Sequence, residues 1–227
     1  MAGAAATSPE WLLDGHHPGC VERRAPAAAP EMLPGVCEFD GRLSVVRHPT
    51  TGRYLLYARA NAAAHGARFV MVATSADLVV WSPFRLLQIG GYSTPSQGDV
   101  YFWAAAVNPA APTTLLAVFP IVDRLRGCLA LSASRDGVRW SPPAPLLRCQ
   151  VYGERTAHHP AAGIVARGDE VWLYVHENVP GVVADKVNAR ILSRFKYLRQ
   201  PPPRLRRYAI GKEALRRWTE GALAQIR

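Results

Sequence analysis

Four side chains suited to acid–base work stand at related places in this sequence: Asp40, Asp99, Glu154 and His158. The interval from Asp40 to Asp99 is repeated from Asp99 to His158, and Glu154 lies shortly before that last position. Carboxylates gathered in one place can divide their labour. Mutual repulsion raises the pKa of one, so that one carboxylate stays ionised while its neighbour keeps a proton to donate. The plainer reading is that Asp40-Gly41 and Gly98-Asp99 are turns leading into strands. A second constellation, His158-His159 with His176-Glu177, has metal-ligand residue types. Adjacent residues on a strand point to opposite faces, which keeps neighbouring histidines from sharing an ion, and no HExxH pattern is present. No metal site is therefore expected. Nucleophile-elbow, P-loop and dinucleotide motifs are also missing, so no cofactor is expected.

That common interval, a spacing of 59, comes from a repeat. Ser75 to Pro83 reads Ser-x-Asp-Leu-x-x-Trp-Ser-Pro, and Ser134 to Pro142 reads Ser-x-Asp-Gly-x-x-Trp-Ser-Pro at the same spacing. Tyr54 to Tyr57 maps onto Thr113 to Leu116 and then onto Trp172 to Val175. Ser134 maps onto Ser193 in a third, degenerate copy that keeps the apolar pattern without the Asp and Trp. Three units thus span residues 36–198, preceded by an Ala/Pro/Gly-rich extension over 1–35.

The elements that must position the acidic residues are strands. Arg42 to Val46 and Tyr54 to Arg59 flank a His48–Gly52 turn and predict a hairpin. Arg68 to Ala73 and Phe84 to Leu87 predict a second pair joined through the Ser-x-Asp-Leu turn, with Asp77 and Asp136 serving the turns and Trp81 and Trp140 the core. Four short strands per repeat describe the blades of an all-β propeller. A β-sandwich built from the same strands is the alternative. Propellers close with about four to eight blades. Three units therefore imply a shortened fold, a part of a larger one, or closure by association of copies of the chain.

The Ser-x-Asp-Leu/Gly-x-x-Trp-Ser-Pro turns resemble those of the five-bladed propeller glycoside hydrolases, notably families 32 and 43, and look like a shortened sialidase Asp box. The resemblance covers about 160 residues. It implies a central funnel in which the innermost strand of each blade opens with an acidic residue. On that pattern Asp40 is the base or nucleophile, Asp99 the transition-state stabiliser, and Glu154 the general acid, with His158 as its substitute. Arg59, Tyr101, Trp103 and His159 would bind the substrate, an aromatic face stacking on the sugar and a guanidinium donating to its hydroxyls. Carboxylate separations of about 5–5.5 Å or 6.5–9.5 Å would set retention or inversion. The implied partner is a glycan.

Composition bounds these readings. The chain has 227 residues, 49% apolar and 19% charged, which excludes a chain disordered throughout. No apolar run reaches the ~18 residues of a membrane span, and MAGAAATSPEWLL lacks a secretory pattern. A soluble, by default cytoplasmic, protein is expected. The net charge of +10 is localised. Residues 1–185 hold 15 Arg against 15 acidic residues, whereas 186–227 hold 12 basic residues against Glu213 and Glu220. Tyr197 to Arg207 predicts a stiff basic Pro-rich linker, and Lys212 to Leu223 a short helix with Ala214, Leu215, Trp218 and Ala222 on one face. This 199–227 tail would dock its Trp218 face back on the sheet. The competing reading, an anchor for nucleic acid or an anionic surface, is less favoured because aromatic residues are sparse in it. A third class of function is a non-catalytic scaffold that uses the blades to bind proteins. Cys20, Cys37, Cys128 and Cys149 form no Cys-x-x-Cys pair and are expected as buried thiols.

Overall fold

A computed structural model describes residues 43–61, 68–92, 100, 102–123, 126–147, 149–151, 158–179 and 202–226. Strands β1 (Ser44–Arg47), β2 (Tyr54–Asn61), β3 (Arg68–Ser75) and β4 (Arg85–Leu86) pair antiparallel in chain order as the first sheet. The His48–Gly52 turn between β1 and β2 closes with Gly52 at φ +70°, a conformation glycine enters without Cβ strain. Its His48 is buried. Nδ1 accepts the Thr50 and Thr51 amides, which leaves the proton on Nε2 to bond the Arg135 carbonyl at 2.9 Å.

The second sheet takes β6 (Ala104–Val107), β7 (Leu115–Asp123), β8 (Arg126–Ser134) and β10 (Ala144–Pro145), with β11 (Gln150–Val151) also on β8. Two residues of β5 (Gln88–Ile89) pair in parallel with β9 (Arg139–Trp140). β12 (His159–Arg167), β13 (Glu170–Glu177) and β14 (Arg204–Gly211) make the third sheet.

Period-two alternation explains how the sheets stack. On β7, Leu115, Ala117, Phe119 and Ile121 enter a core shared with the first sheet, while Leu116 and Val118 enter a second core with Val171, Leu173 and Val175 of β13. Cys128 and Ala130 against Leu129 and Leu131 split the same way on β8. The middle sheet is therefore apolar on both faces, which is why Leu115 to Val122 reads as a continuous apolar run.

Both Asp-containing turns form as expected. Asp77 Oδ1 accepts the Val79 and Val80 amides, each at 2.9 Å, and Asp136 Oδ1 accepts those of Val138 and Arg139 at 2.8 and 2.7 Å. The indole of Trp140 is buried and donates to the Gly137 carbonyl at 3.1 Å.

The basic tail departs from expectation. Arg204 to Arg207, expected at the end of the linker, instead begin strand β14 (Arg204–Gly211), which pairs along its whole length with β13. Extended, Arg-rich sequence carries no apolar alternation strong enough to announce this pairing. Helix α1 (Lys212–Leu223) follows directly and buries Leu215, Thr219, Ala222 and Leu223, with Trp218 half-buried beside them. Ala214, expected on that face, is exposed. Thr219 takes the place on the buried side because its hydroxyl accepts from the buried Asn108 Nδ2 at 2.9 Å and donates to the Leu215 carbonyl at 2.8 Å. Cys128 and Cys149, expected as thiols, form a disulfide across the β8–β11 edge. Cys20 and Cys37 lie outside the described residues. No helix among the described residues is long and apolar enough to cross a membrane.

Candidate functional site

The first strands of the three sheets gather side by side, β1 against β6 and β6 against β12. Ser44 of β1 is stitched to β6, its Oγ accepting the Ala105 amide at 3.0 Å and donating to the Ala105 carbonyl at 3.2 Å. Just before β6, Phe102 meets His159 at the start of β12, ring centroids 4.6 Å apart. The Phe102 backbone stands at φ +40°, a region that a bulky side chain enters at a cost and that clusters at functional sites.

These rings line a cleft of about 500 Å³ together with His176, Arg204 and Leu205. Strand register sets the arrangement. His159 pairs directly with His176 across β12 and β13, and His176 with Leu205 across β13 and β14, so the three share one end of the sheet. The next pair along, Glu177 with Arg204, turns to the other face, where Glu177 is buried.

Glu177 accepts a bond from Arg204 Nε at 2.6 Å and one from the Tyr208 hydroxyl, and Arg206 Nε stands 3.5 Å away. Burial pushes its carboxyl up, but the Tyr208 hydroxyl and the two guanidiniums more than offset this and hold it below its ordinary value. Glu177 is thus an ionised clamp between β13 and β14, unsuited to proton donation. Burial and the shared bond with Glu177 push the Tyr208 phenol up.

His158 shares this field. Burial lowers its pKa; the Glu177 charge opposes that, and Arg204 and Arg206 reinforce it. The balance holds the imidazole toward its neutral form.

Asp40, Asp99, Tyr101 and Glu154 lie outside the described residues. Of the expected substrate-binding residues, His159 lines the cleft. Arg59 stands half-buried on β2 opposite Val70. Trp103 is a core residue, not a sugar platform: it is 2% exposed, stacked on Phe119 at 4.2 Å and met edge-on by Trp140 at 4.9 Å. It sits just before β6, among Phe119 of β7, Trp140 and Tyr57 of β2.

Phe102, Arg204 and Leu205 were not singled out from sequence. Phe102 sits in the Gly98-to-Phe102 stretch that opens the second unit, so the repeat held a signal for it, whereas β14 held none. Among the described residues, no three His, Cys, Asp or Glu side chains converge as a metal site. A second recess of about 610 Å³ lies beside the Phe69–Tyr92 stack, and among the described residues no carboxylate or histidine lines it.

No protein-family model matches the chain. No curated protein matches its sequence. Among solved structures, a fructofuranosidase from Schwanniomyces occidentalis is 15% identical with a TM-score of 0.45, over 60% of this chain and 30% of the enzyme. An N-acetylgalactosamine deacetylase from F. plautii is 13% identical with a TM-score of 0.46, over 90% of this chain and 56% of that one. A family 117 glycoside hydrolase from Zobellia galactanivorans is 14% identical with a TM-score of 0.40, over 60% and 47% respectively. The chain thus spans between about a third and just over half of the length of these proteins.

Proposed function

We propose that this chain is a carbohydrate-active protein of the propeller-glycosidase kind, whose ligand lies where the first strands of successive sheets converge. The observation that carries the reading is the Phe102–His159 contact at 4.6 Å. The repeat predicts that the openings of the second and third units share one centre, and these two residues follow closely on Asp99 and Glu154. Sheets stacked in series, with the middle one buried on both faces, support blades over a two-sheet sandwich.

On this reading Asp40 acts as base or nucleophile, Asp99 stabilises the transition state, and Glu154 supplies the proton. Neutral His158 relays or accepts a proton beside them. Glycoside cleavage needs one carboxylate to attack or activate water and one protonated acid to release the leaving oxygen. An Asp99→Asn variant removes a charge while keeping the shape. The test is a panel of oligosaccharides and aryl glycosides screened for binding by calorimetry and for hydrolysis by product release. Saturable sugar binding, with turnover lost in Asp99→Asn, is the expected result. Absence of binding to every sugar overturns the proposal, and unchanged turnover in the variant overturns the role of Asp99.

A further inference from the structure

Three consecutive residues at the tip of the first Asp-containing turn, Leu78, Val79 and Val80, are each 48% exposed. Leu78 also stands at φ +68°, a backbone that disfavours any residue with a Cβ. The second turn meets the same demand with Gly137, which is buried. A leucine held in that conformation and shown to solvent does little for the stability of its own chain. Strain of this kind persists where another role maintains it. Apolar residues scattered singly over a surface need no explanation, but three in succession at one tip form a patch.

The turn is prepared to leave water. Ser75 Oγ accepts the Leu78 amide at 2.9 Å, Asp77 Oδ1 accepts those of Val79 and Val80, and the Trp81 indole donates to the Leu78 carbonyl at 3.2 Å. Transfer to an apolar medium therefore strands none of these donors. Cations flank the tip. Arg47, Tyr54 and Ser75 form one row across β1, β2 and β3, so the β1–β2 turn lies beside the Asp77 turn. Arg53 Nη2 reaches Thr74 Oγ1 at 3.4 Å, and Arg47 Nε donates to the Gly52 carbonyl at 3.1 Å. Both arginines are exposed, and neither pairs with a carboxylate among the described residues. Asp77 is the opposing charge, and its Oδ1 is taken up by the turn itself.

A second copy of the chain is a poor occupant. The second turn shows how such a turn docks on a sheet of this fold: Gly137 fits against Leu55 and Tyr57 because it lacks a Cβ, which would sit 2.4 Å from Leu55 Cδ1. Leu78 cannot dock in that way. We infer that the Leu78–Val80 tip inserts into the interfacial layer of an anionic lipid bilayer, with Arg47 and Arg53 at the level of the phosphates. Side chains this short reach the boundary between headgroups and acyl chains, and the arginines select the anionic leaflet. The contact is peripheral and independent of the carbohydrate reading.

The experiment floats the full chain with vesicles of phosphatidylcholine alone and of phosphatidylcholine carrying about 30% phosphatidylserine. The expected result is binding to both, about fivefold tighter on the anionic vesicles, since two arginines act there against the charge of Asp77. Val79→Ser combined with Val80→Ser should weaken binding about tenfold on both lipids. Leu78→Gly, which keeps the turn's backbone, should also weaken it and guards against misfolding of the double variant. Arg53→Gln should shrink only the preference for phosphatidylserine. Failure of the wild type to float with either vesicle overturns the inference, as does flotation that both tip variants leave unchanged. Concentration-dependent self-association in the ultracentrifuge, abolished by the tip variants in the absence of lipid, assigns the tip to a second copy and overturns the inference in that way.

Discussion

Replacing Gly137 with alanine, and its repeat counterpart Leu78 with glycine, puts one backbone position to two opposite tests. Both residues follow the Asp of their turn, and both are left-handed, Gly137 at φ +75° and Leu78 at φ +68°. Their surroundings differ. Leu78 is 48% exposed, whereas a Cβ on Gly137 would sit 2.4 Å from Leu55 Cδ1 and 2.8 Å from the Tyr57 hydroxyl. That hydroxyl donates to the Gly137 carbonyl at 2.9 Å, from a phenol whose pKa burial drives well up. Gly137→Ala therefore costs about 1 kcal/mol for the left-handed backbone and about 1–3 kcal/mol for overpacking against β2. The total is about 3 kcal/mol, a fall in Tm of roughly 6–12 °C for a chain of this size. Leu78→Gly relieves the same backbone strain and loses a similar amount to the added freedom of the unfolded chain, so stability should stay within about 0.5 kcal/mol. Urea titration of both variants reads the difference directly. A Gly137→Ala cost below about 1 kcal/mol would refute the packing of the second turn against β2.

Reduction, or Cys149→Ala, opens a cross-link between residues 21 apart and should cost about 3 kcal/mol on chain-entropy grounds; coincident melts with and without reductant would contradict this. Glu177→Gln should lose about 1–3 kcal/mol at neutral pH, because charge-assisted bonds to Arg204 and Tyr208 are weakened. Since the folded pKa of Glu177 is depressed, its contribution is present above its ordinary value of 4.5 and fades as pH falls through the folded value. Wild type and variant should therefore converge in acid, and a stability difference independent of pH from 3 to 7 would count against the clamp. The lowered pKa of His158 acts in a higher window: below its ordinary 6.5 the unfolded chain takes up a proton that the folded chain resists. Wild type should thus lose stability relative to His158→Gln as pH drops from 7 to 5, and parallel urea midpoints across that range would argue against a half-buried imidazole held toward its neutral form.

Much of the local structure was legible in the sequence. Alternation marked the β1–β2 hairpin and β3, turn chemistry marked Asp77 and Asp136, and α1 runs over Lys212–Leu223 as the helical spacing predicts. These signals are local: a strand's period, a turn's acceptor and a helix's face are written in residues a few positions apart. What tertiary structure alone decided is what depends on separation through space. β14 joins β13 across the long stretch of chain between Glu177 and Arg204, and nothing in Arg204 to Arg207 names that partner. Four cysteines allow three pairings, and the choice of Cys128 with Cys149 comes from both lying at one edge of β8. Trp103 has the type of a sugar platform, yet packing against Phe119 and Trp140 just before β6 places it in the core. The cleft is the same lesson at the level of function, since Phe102, His159 and Arg204 come from three separate stretches of the chain. Strands, turns and residue types are set within each segment, because backbone periodicity and hydrogen-bonding preference act over a few residues. Which of those residues face one another was decided only when the sheets stacked and buried their apolar faces.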